Sequence, residues 1–278
     1  MTPWLFALEV FSISVVAGAL GALVGIGGGI VVVPALTLMF GIDIRYAIGA
    51  SVVSVIATSS GSAAAYVRQH LVNLRVAMLL ELGTTTGALM GAYLAGILSG
   101  RWLFVVFGIM MGYSALMMLR QRSGERSPVP PDAWSDKLKL HGTYFDEATN
   151  REVHYRVTRA PLGLALMWVA GLVSGLLGIG SGALKVPALD LAMRVPIKVS
   201  TATSNLMIGV TAAASAAVYF ARGDIIPFVA APVAAGVLLG STGAARVFPR
   251  LGSQTIRIAF VVVLVWVSLE MLVKGVRS

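Results

Sequence analysis

Eight apolar runs, near residues 4–24, 47–67, 76–98, 102–119, 161–177, 199–220, 225–247 and 256–273, limit what this chain can fold into. Most of them hold the roughly 20 residues that a helix needs to cross about 30 Å of hydrocarbon. Charged residues make up 12% of the 278 and mean hydropathy is +0.87. A soluble domain carries about twice that charged share. The 31 glycines are spread through the apolar runs, a usage that is common in membrane helices and costly in soluble ones. The chain is therefore expected to be an all-α integral membrane protein with about eight membrane helices. Its first basic residue is Arg45. A signal peptide needs a basic start, so the first run is expected to stay in the mature protein.

Two further apolar runs, 30–40 and 183–193, are too short to cross. Each follows a glycine-rich break, Gly25-Ile26-Gly27-Gly28-Gly29 or Gly178-Ile179-Gly180-Ser181-Gly182. Irregular backbone at membrane depth survives only when protein or a water-filled cavity covers it. Each break is thus expected to form the tip of a helical hairpin inside the protein. The breaks belong to a duplication at a constant offset of 153 residues. Gly18, Gly25, Gly27, Gly29, Pro34, Ser51, Thr58, Ser62, Tyr66, Gly83 and Gly87 match Gly171, Gly178, Gly180, Gly182, Pro187, Ser204, Thr211, Ser215, Tyr219, Gly236 and Gly240. Shared hydrophobicity alone cannot align Gly, Pro, Ser, Thr and Tyr together. The reading is a first membrane repeat at 1–119, a hydrophilic segment at 120–160 and a second membrane repeat at 161–278. Alternation of apolar and polar residues around Ala148-Thr149-Asn150 suggests a small β-hairpin in the hydrophilic segment, with a solvated linker as the alternative.

If each break returns to its starting side, the second repeat is inverted, and 15 Lys/Arg fall on one side against five on the other. If each broken segment crosses once, the repeats are parallel and the split is 13 to 7. The positive-inside bias favours inversion, with the central loop in the cytoplasm and both termini outside.

The net charge of +9 sits in the connectors, where that same bias explains it and no nucleic-acid partner is needed. The chain has no cysteine, which excludes disulfides, thiolate metal sites and cysteine nucleophiles. His70, His141 and His154, the only histidines, lie in predicted connectors. No membrane-embedded Ser–His or His–metal cluster is expected, hence no catalytic residue, metal or cofactor.

Four groups of residues could handle a small anion. A glycine-rich turn ahead of a helix offers free backbone N–H groups and a positive dipole end, which nominates Gly27, Gly28, Gly29, Gly180, Ser181 and Gly182. The alternative is that these glycines serve only close helix packing. Ser51, Ser54, Thr58 and Ser62 share one helix face. Their mate helix carries Thr201, Ser204, Asn205, Thr211 and Ser215. Of these, Ser51, Ser204 and Asn205 are the chosen ligand candidates. Lys185, mated to Val32, could attract an anion, and Glu81, mated to Ala234, could carry a proton; Asp190 is mated to Thr37. Charges at membrane depth are expensive and functional by default, although a structural pair between Lys185 and one acid is a second reading. Gly83, Gly87 and Gly91, spaced by four, read as a packing ridge.

The duplicated breaks, each followed by Pro-Ala-Leu (Pro34-Ala35-Leu36 and Pro187-Ala188-Leu189), resemble the sulfite exporter TauE/SafE family of bacterial membrane permeases. Ala202-Thr203-Ser204-Asn205 with Ile208-Gly209, and Arg222-Gly223-Asp224-Ile225, resemble it too. The resemblance spans both membrane halves and omits most of 120–160. It implies a multi-pass protein of the bacterial inner membrane, surrounded by lipid, that moves sulfite or a small organosulfur anion. The expected function is a secondary transporter working by alternating access, with an anion channel on the same scaffold or an intramembrane enzyme as alternatives; proton coupling would fall to Glu81.

Overall fold

A computed structural model describes residues 3–120, 132–250 and 253–277. The first repeat consists of α1 (Pro3–Val24), a short α2 (Gly29–Pro34) that widens into a π-helical turn (Ala35–Met39), α3 (Ile44–Arg68), α4 (Leu74–Ala95) and α5 (Gly100–Arg120). Between the repeats lie a helical turn, α6 (Ala133–Lys137), and a hairpin of β1 (Gly142–Asp146) and β2 (Arg151–Tyr155). The second repeat has α7 (Ala160–Leu177), a short α8 (Gly182–Pro187) with its own π-helical turn (Ala188–Ala192), α9 (Ile197–Ala221), α10 (Pro227–Val247) and α11 (Ser253–Arg277). Among the described residues, five helices, α1, α3, α7, α9 and α10, are long and apolar enough to cross a membrane. α4, α5 and α11 match them in length at 22, 21 and 25 residues.

Local chemistry sets the boundaries. Asp43 accepts from the Arg45 amide at 2.9 Å and starts α3; Asn73 accepts from the Val76 amide at 3.1 Å and starts α4. These side-chain oxygens satisfy amides that have no partner within the helix. Pro34 and Pro187 end the two short helices. Proline removes a backbone donor, and in both repeats the next turn opens to π geometry.

Close backbone approaches reveal the helix directions. Gly236 faces Phe11 and Ser14, while Gly240 faces Val15 and Ala19, so α1 and α10 run parallel. Gly83 faces Leu164, Gly87 faces Trp168, and Gly91 faces Leu172, so α4 and α7 are parallel too. α3 follows α10 as well: Gly61 abuts Ser241, and Gln69 Nε2 donates to the Ala245 carbonyl at 3.4 Å. Thus α1 and α3 point the same way, and the chain between them turns back. Phe40, at the end of that returning segment, packs edge-on against Phe6 near the start of α1, with centroids 5.3 Å apart. The short connection at 69–73 makes α4 oppose α3, so α7 opposes α1 and the second repeat runs inverted to the first. α5 and α11 pack antiparallel, with Gly108 against Leu272 and Gly112 against Ser268.

Small residues permit these approaches: a Cβ at Gly87 or Gly91 would meet backbone of α7, as in membrane helix pairs held by close packing rather than by hydrophobic exclusion. One end of the bundle carries Arg68, Arg75, Arg194, Lys198, Arg246, Arg250 and the hairpin; the other carries Arg45, Arg101, Arg222 and Lys274. Within the hydrophilic segment, 121–131, including Arg122 and Arg126, lie outside the described residues. The hairpin is tied down. Lys198, in the first turn of α9, reaches Asp146 Oδ1 at 2.6 Å and the Pro249 carbonyl at 3.0 Å. Asn73 Nδ2 donates to the Leu140 carbonyl at 2.8 Å and to Tyr155 Oη at 2.9 Å.

Candidate functional site

The two breaks meet. Gly182 lies against the backbone of Gly25 and Ile26, and a Cβ at Gly29 would come within 3.2 Å of the Gly178 carbonyl. Gly27 and Gly180 each face Val55 and Ile208, which are repeat mates. Matching left-handed turns build the breaks: φ is +77° and +83° at Gly25 and Gly27, and +67° and +79° at Gly178 and Gly180. The amides of Gly25, Ile26 and Gly27 converge on the Gly21 carbonyl at 3.0, 3.0 and 3.3 Å.

Each repeat also caps the other's break. Ser51 Oγ donates to the Gly178 carbonyl at 2.8 Å, and its mate Ser204 donates to the Gly25 carbonyl at 2.9 Å. Tyr66 and its mate Tyr219 close the ends of α1 and α7, donating to Ala22 at 3.1 Å and Gly175 at 2.6 Å. Buried carbonyls at a helix end need such partners. The structure therefore brings Gly27, Gly28, Gly29, Gly180, Ser181, Gly182, Ser51 and Ser204 together about the axis relating the repeats.

Asn205 joins them from α9. Its Nδ2 donates to the carbonyls of Ala22 at 2.9 Å and Thr201 at 3.2 Å. Its Oδ1 and the Thr201 hydroxyl are buried without a hydrogen-bond partner. An unsatisfied buried polar atom costs about 1–3 kcal/mol, and the repeat mates Val52 and Ile48 are apolar, so the shared scaffold does not call for either group.

The breaks differ at one position. Gly28 has φ −60°, and its amide donates to Thr58 Oγ1 at 3.1 Å. Ser181 has φ +59°, and its hydroxyl folds back onto the Gly180 carbonyl at 2.7 Å.

Lys185 is wholly buried one turn into α8. Its amide donates to the Ser181 carbonyl at 2.8 Å, which fixes the turn. Its Nζ donates to Thr211 Oγ1 at 2.6 Å, and Thr211 lies 2.6 Å from Glu81 Oε1. Glu81 Oε2 stands 3.7 Å from the ammonium. Thr85 donates to Oε1 at 3.2 Å, and Thr84 Oγ1 is 3.4 Å from Thr211. The structure thus places Glu81 at Lys185 with Thr211 between them. Asp190 is also buried, on the π-helical turn beyond Lys185. Thr211 was visible in sequence only as one hydroxyl of a row. The signal that could have marked it is its mate, Thr58, together with the Thr84-Thr85-Thr86 run behind Glu81.

A cavity of about 500 Å³, lined by apolar residues including Met110, Tyr113, Val169, Leu184 and Leu191, lies between α5, α7 and α8. A smaller space of about 10 Å³, lined by Val10, Val32 and Leu36 among others, lies between α1 and α2.

At the hairpin end, burial pushes the Asp146 carboxyl up, but the Lys198 ammonium, the Ala148 amide and Thr149 outweigh it, leaving the pKa below the usual carboxylate range. His141 binds Asp136 at 2.6 Å and holds that carboxyl low, helped by Arg156 at 3.2 Å.

Known proteins are similar in sequence to most of the chain. A probable membrane transporter protein of Bacillus subtilis (strain 168), YunE, is 28% identical over 273 residues, covering 96% of this chain and 97% of that protein. A probable membrane transporter protein of Xylella fastidiosa (strain 9a5c) is 30% identical over 247 residues, covering 87% and 85%. No solved structure matches the chain. The model of the sulfite exporter TauE/SafE family matches residues 10–271, and the chain belongs to that family of membrane proteins.

Proposed function

We propose that the protein is a secondary transporter that moves a small sulfur-containing oxyanion, such as sulfite or a sulfonate, across the bacterial inner membrane by alternating access. The observation that carries this reading is Lys185, a wholly buried cation beside a broken helix. A charge held there is expensive and is kept for an ion path or a substrate. Inverted repeats with discontinuous helices are a recurrent transporter plan, with substrate held where the breaks meet. The family description and the relatives' names point the same way.

In this arrangement the amides of Gly27 and Gly28 are engaged by Gly21 and Thr58. The amides of Gly29 and of Gly180, Ser181 and Gly182, beside Lys185, are the nearer ligand set. Ser51, Ser204 and Asn205 border the site and hold the breaks in register. The cavity beside α8 gives that half-helix room to move as access alternates.

The test is flux into proteoliposomes, using sulfite, thiosulfate and a series of sulfonates. Saturable uptake of one of them should appear, and Lys185→Met should remove it while Lys274→Met does not. Equal uptake by folded Lys185→Met protein would return Lys185 to a structural role, and flux that never saturates would point to a channel. The basic end of the bundle is placed in the cytoplasm by the positive-inside rule. Single cysteines at positions 45 and 222 should then label from outside and one at 68 should not; labelling of 68 and 222 from one side would overturn that orientation.

A further inference from the structure

Lys185 and Glu81 neutralise each other, so the pair as it stands has no net positive charge to offer an anion. Adding an anion to it would leave one negative charge uncompensated at membrane depth. Protonating Glu81 first leaves the site with one positive charge, and a bound monoanion then restores neutrality. Glu81 Oε2 is suited to take that proton: it is buried, has no hydrogen-bond partner and stands 3.7 Å from the ammonium. We infer that proton binding at Glu81 and anion binding at Lys185 are obligatorily linked, one proton per anion, with the Thr211 hydroxyl switching between them. The inference rests on the reading of Lys185 as the anion's site.

Thr211 has one proton and three acceptors in reach: Glu81 Oε1 at 2.6 Å, the Met207 carbonyl at 2.9 Å and Thr84 Oγ1 at 3.4 Å. With Glu81 ionised, Thr211 donates to it and accepts from Lys185. Once Glu81 is protonated, the acid can itself donate to Thr211. The hydroxyl then turns its proton to the Met207 carbonyl, as Thr58 does to the Ser54 carbonyl at 2.9 Å in the first repeat. The two lone pairs of Thr211 then accept from the acid and the ammonium, and Lys185, no longer facing a carboxylate, has its charge free for the anion.

The groups facing Glu81 from each packed element are few. α8 supplies Lys185, α9 supplies Thr211, and α4 itself supplies Thr84 and Thr85. α7 contains no charged residue. The charged residue of α9, Lys198, is bound to Asp146 at the hairpin. Asp190 and Arg194 lie beyond Lys185, toward the start of α9.

Calorimetry on the purified full-length protein tests the linkage, with methanesulfonate and ethanesulfonate as monoanionic probes that do not titrate between pH 6 and 8. Repeating each titration in buffers of different ionisation heat counts the protons taken up. The expected result is one proton per anion and an affinity that falls about tenfold per pH unit once Glu81 is ionised. Glu81→Gln should bind with an affinity that does not change with pH and should take up no proton. Wild-type binding that is independent of pH and proton-silent overturns the linkage and leaves the anion site standing. Loss of binding by Glu81→Gln protein that melts at the wild-type temperature also overturns it. If wild-type protein binds neither probe at any pH, and no sulfur anion enters proteoliposomes, the transporter reading itself fails and the linkage falls with it.

Discussion

The first repeat and the second put the same threonine at the same place on the same helix and use it differently. Thr58 accepts the amide of Gly28 and so holds its own break closed, with apolar Val32 as the nearby counterpart of Lys185. Thr211 serves Lys185 and Glu81, whose repeat mates Val32 and Ala234 are both apolar. What the repeats share is scaffold: the left-handed glycines, the serines that cap each other's breaks, the tyrosines at the ends of α1 and α7. What the duplication does not repeat are Lys185, Glu81 and Asn205, whose mates Val32, Ala234 and Val52 are apolar. Duplication thus separates the residues that build the fold from those added to it, without any need for an alignment.

The largest expected effect contrasts break with ridge. Gly27 and Gly180 have positive φ, where a β-branched residue is strongly disfavoured, and a Cβ at either would meet Val55 and Ile208. Gly27→Val and Gly180→Val should abolish transport in protein that still inserts into the membrane. Gly87, on α4, faces the α7 backbone. Gly87→Ala should part the helices, lower the melting temperature and leave residual activity in proportion to folded protein. Transport assayed beside thermal stability separates the two, and normal flux through either valine variant would sink the role of the breaks.

A mid-sized effect lies at the other end of the molecule, where Lys198 joins α9 to the hairpin. Both partners are buried, with side chains 1% and 10% exposed. Removing one side of such a pair strands the other charge, so Lys198→Met should cost about 3 kcal/mol. The Asp146 carboxyl is held low, so its contribution is present above the unfolded carboxylate pKa of about 4. That contribution disappears as pH falls through the folded value. Stability should therefore drop in acid for wild type and less steeply for Lys198→Met. Parallel pH curves for the two proteins would show that the pair adds nothing.

Much of the scaffold could be read in the sequence. The breaks, the offset of the duplication and the helix centres follow from glycine, proline and apolar runs, which act locally. Helix ends were less legible: α3 starts at Ile44 rather than near 47 because Asp43 caps it. The site was harder still. Periodicity shows that Ser51, Thr58 and Ser204 share buried faces, yet not that two of them would be committed to carbonyls of the opposite repeat. Nor can spacing along the chain show that Glu81 meets Lys185, because it is the packing of α4 and α8 on α7 and α9 that brings the two together.

The smallest expected effect is at the one break position where the repeats disagree. Gly28 is in ordinary right-handed geometry, so alanine needs no unusual backbone there. Its Cβ would lie 3.2 Å from Thr58 Oγ1 and from the Val237 methyls, a crowding worth about 1 kcal/mol. Ser181 is left-handed, a strain of about 1 kcal/mol for a residue with a Cβ. Ser181→Gly would relieve that strain, but it frees the unfolded chain by about as much and gives up the bond to the Gly180 carbonyl. Gly28→Ala should thus lower stability slightly, and Ser181→Gly should leave it nearly unchanged, with transport retained in both. If Ser181→Gly instead removed transport at unchanged stability, the hydroxyl would be a ligand of the anion, and the difference between the breaks would belong to the site rather than to the scaffold.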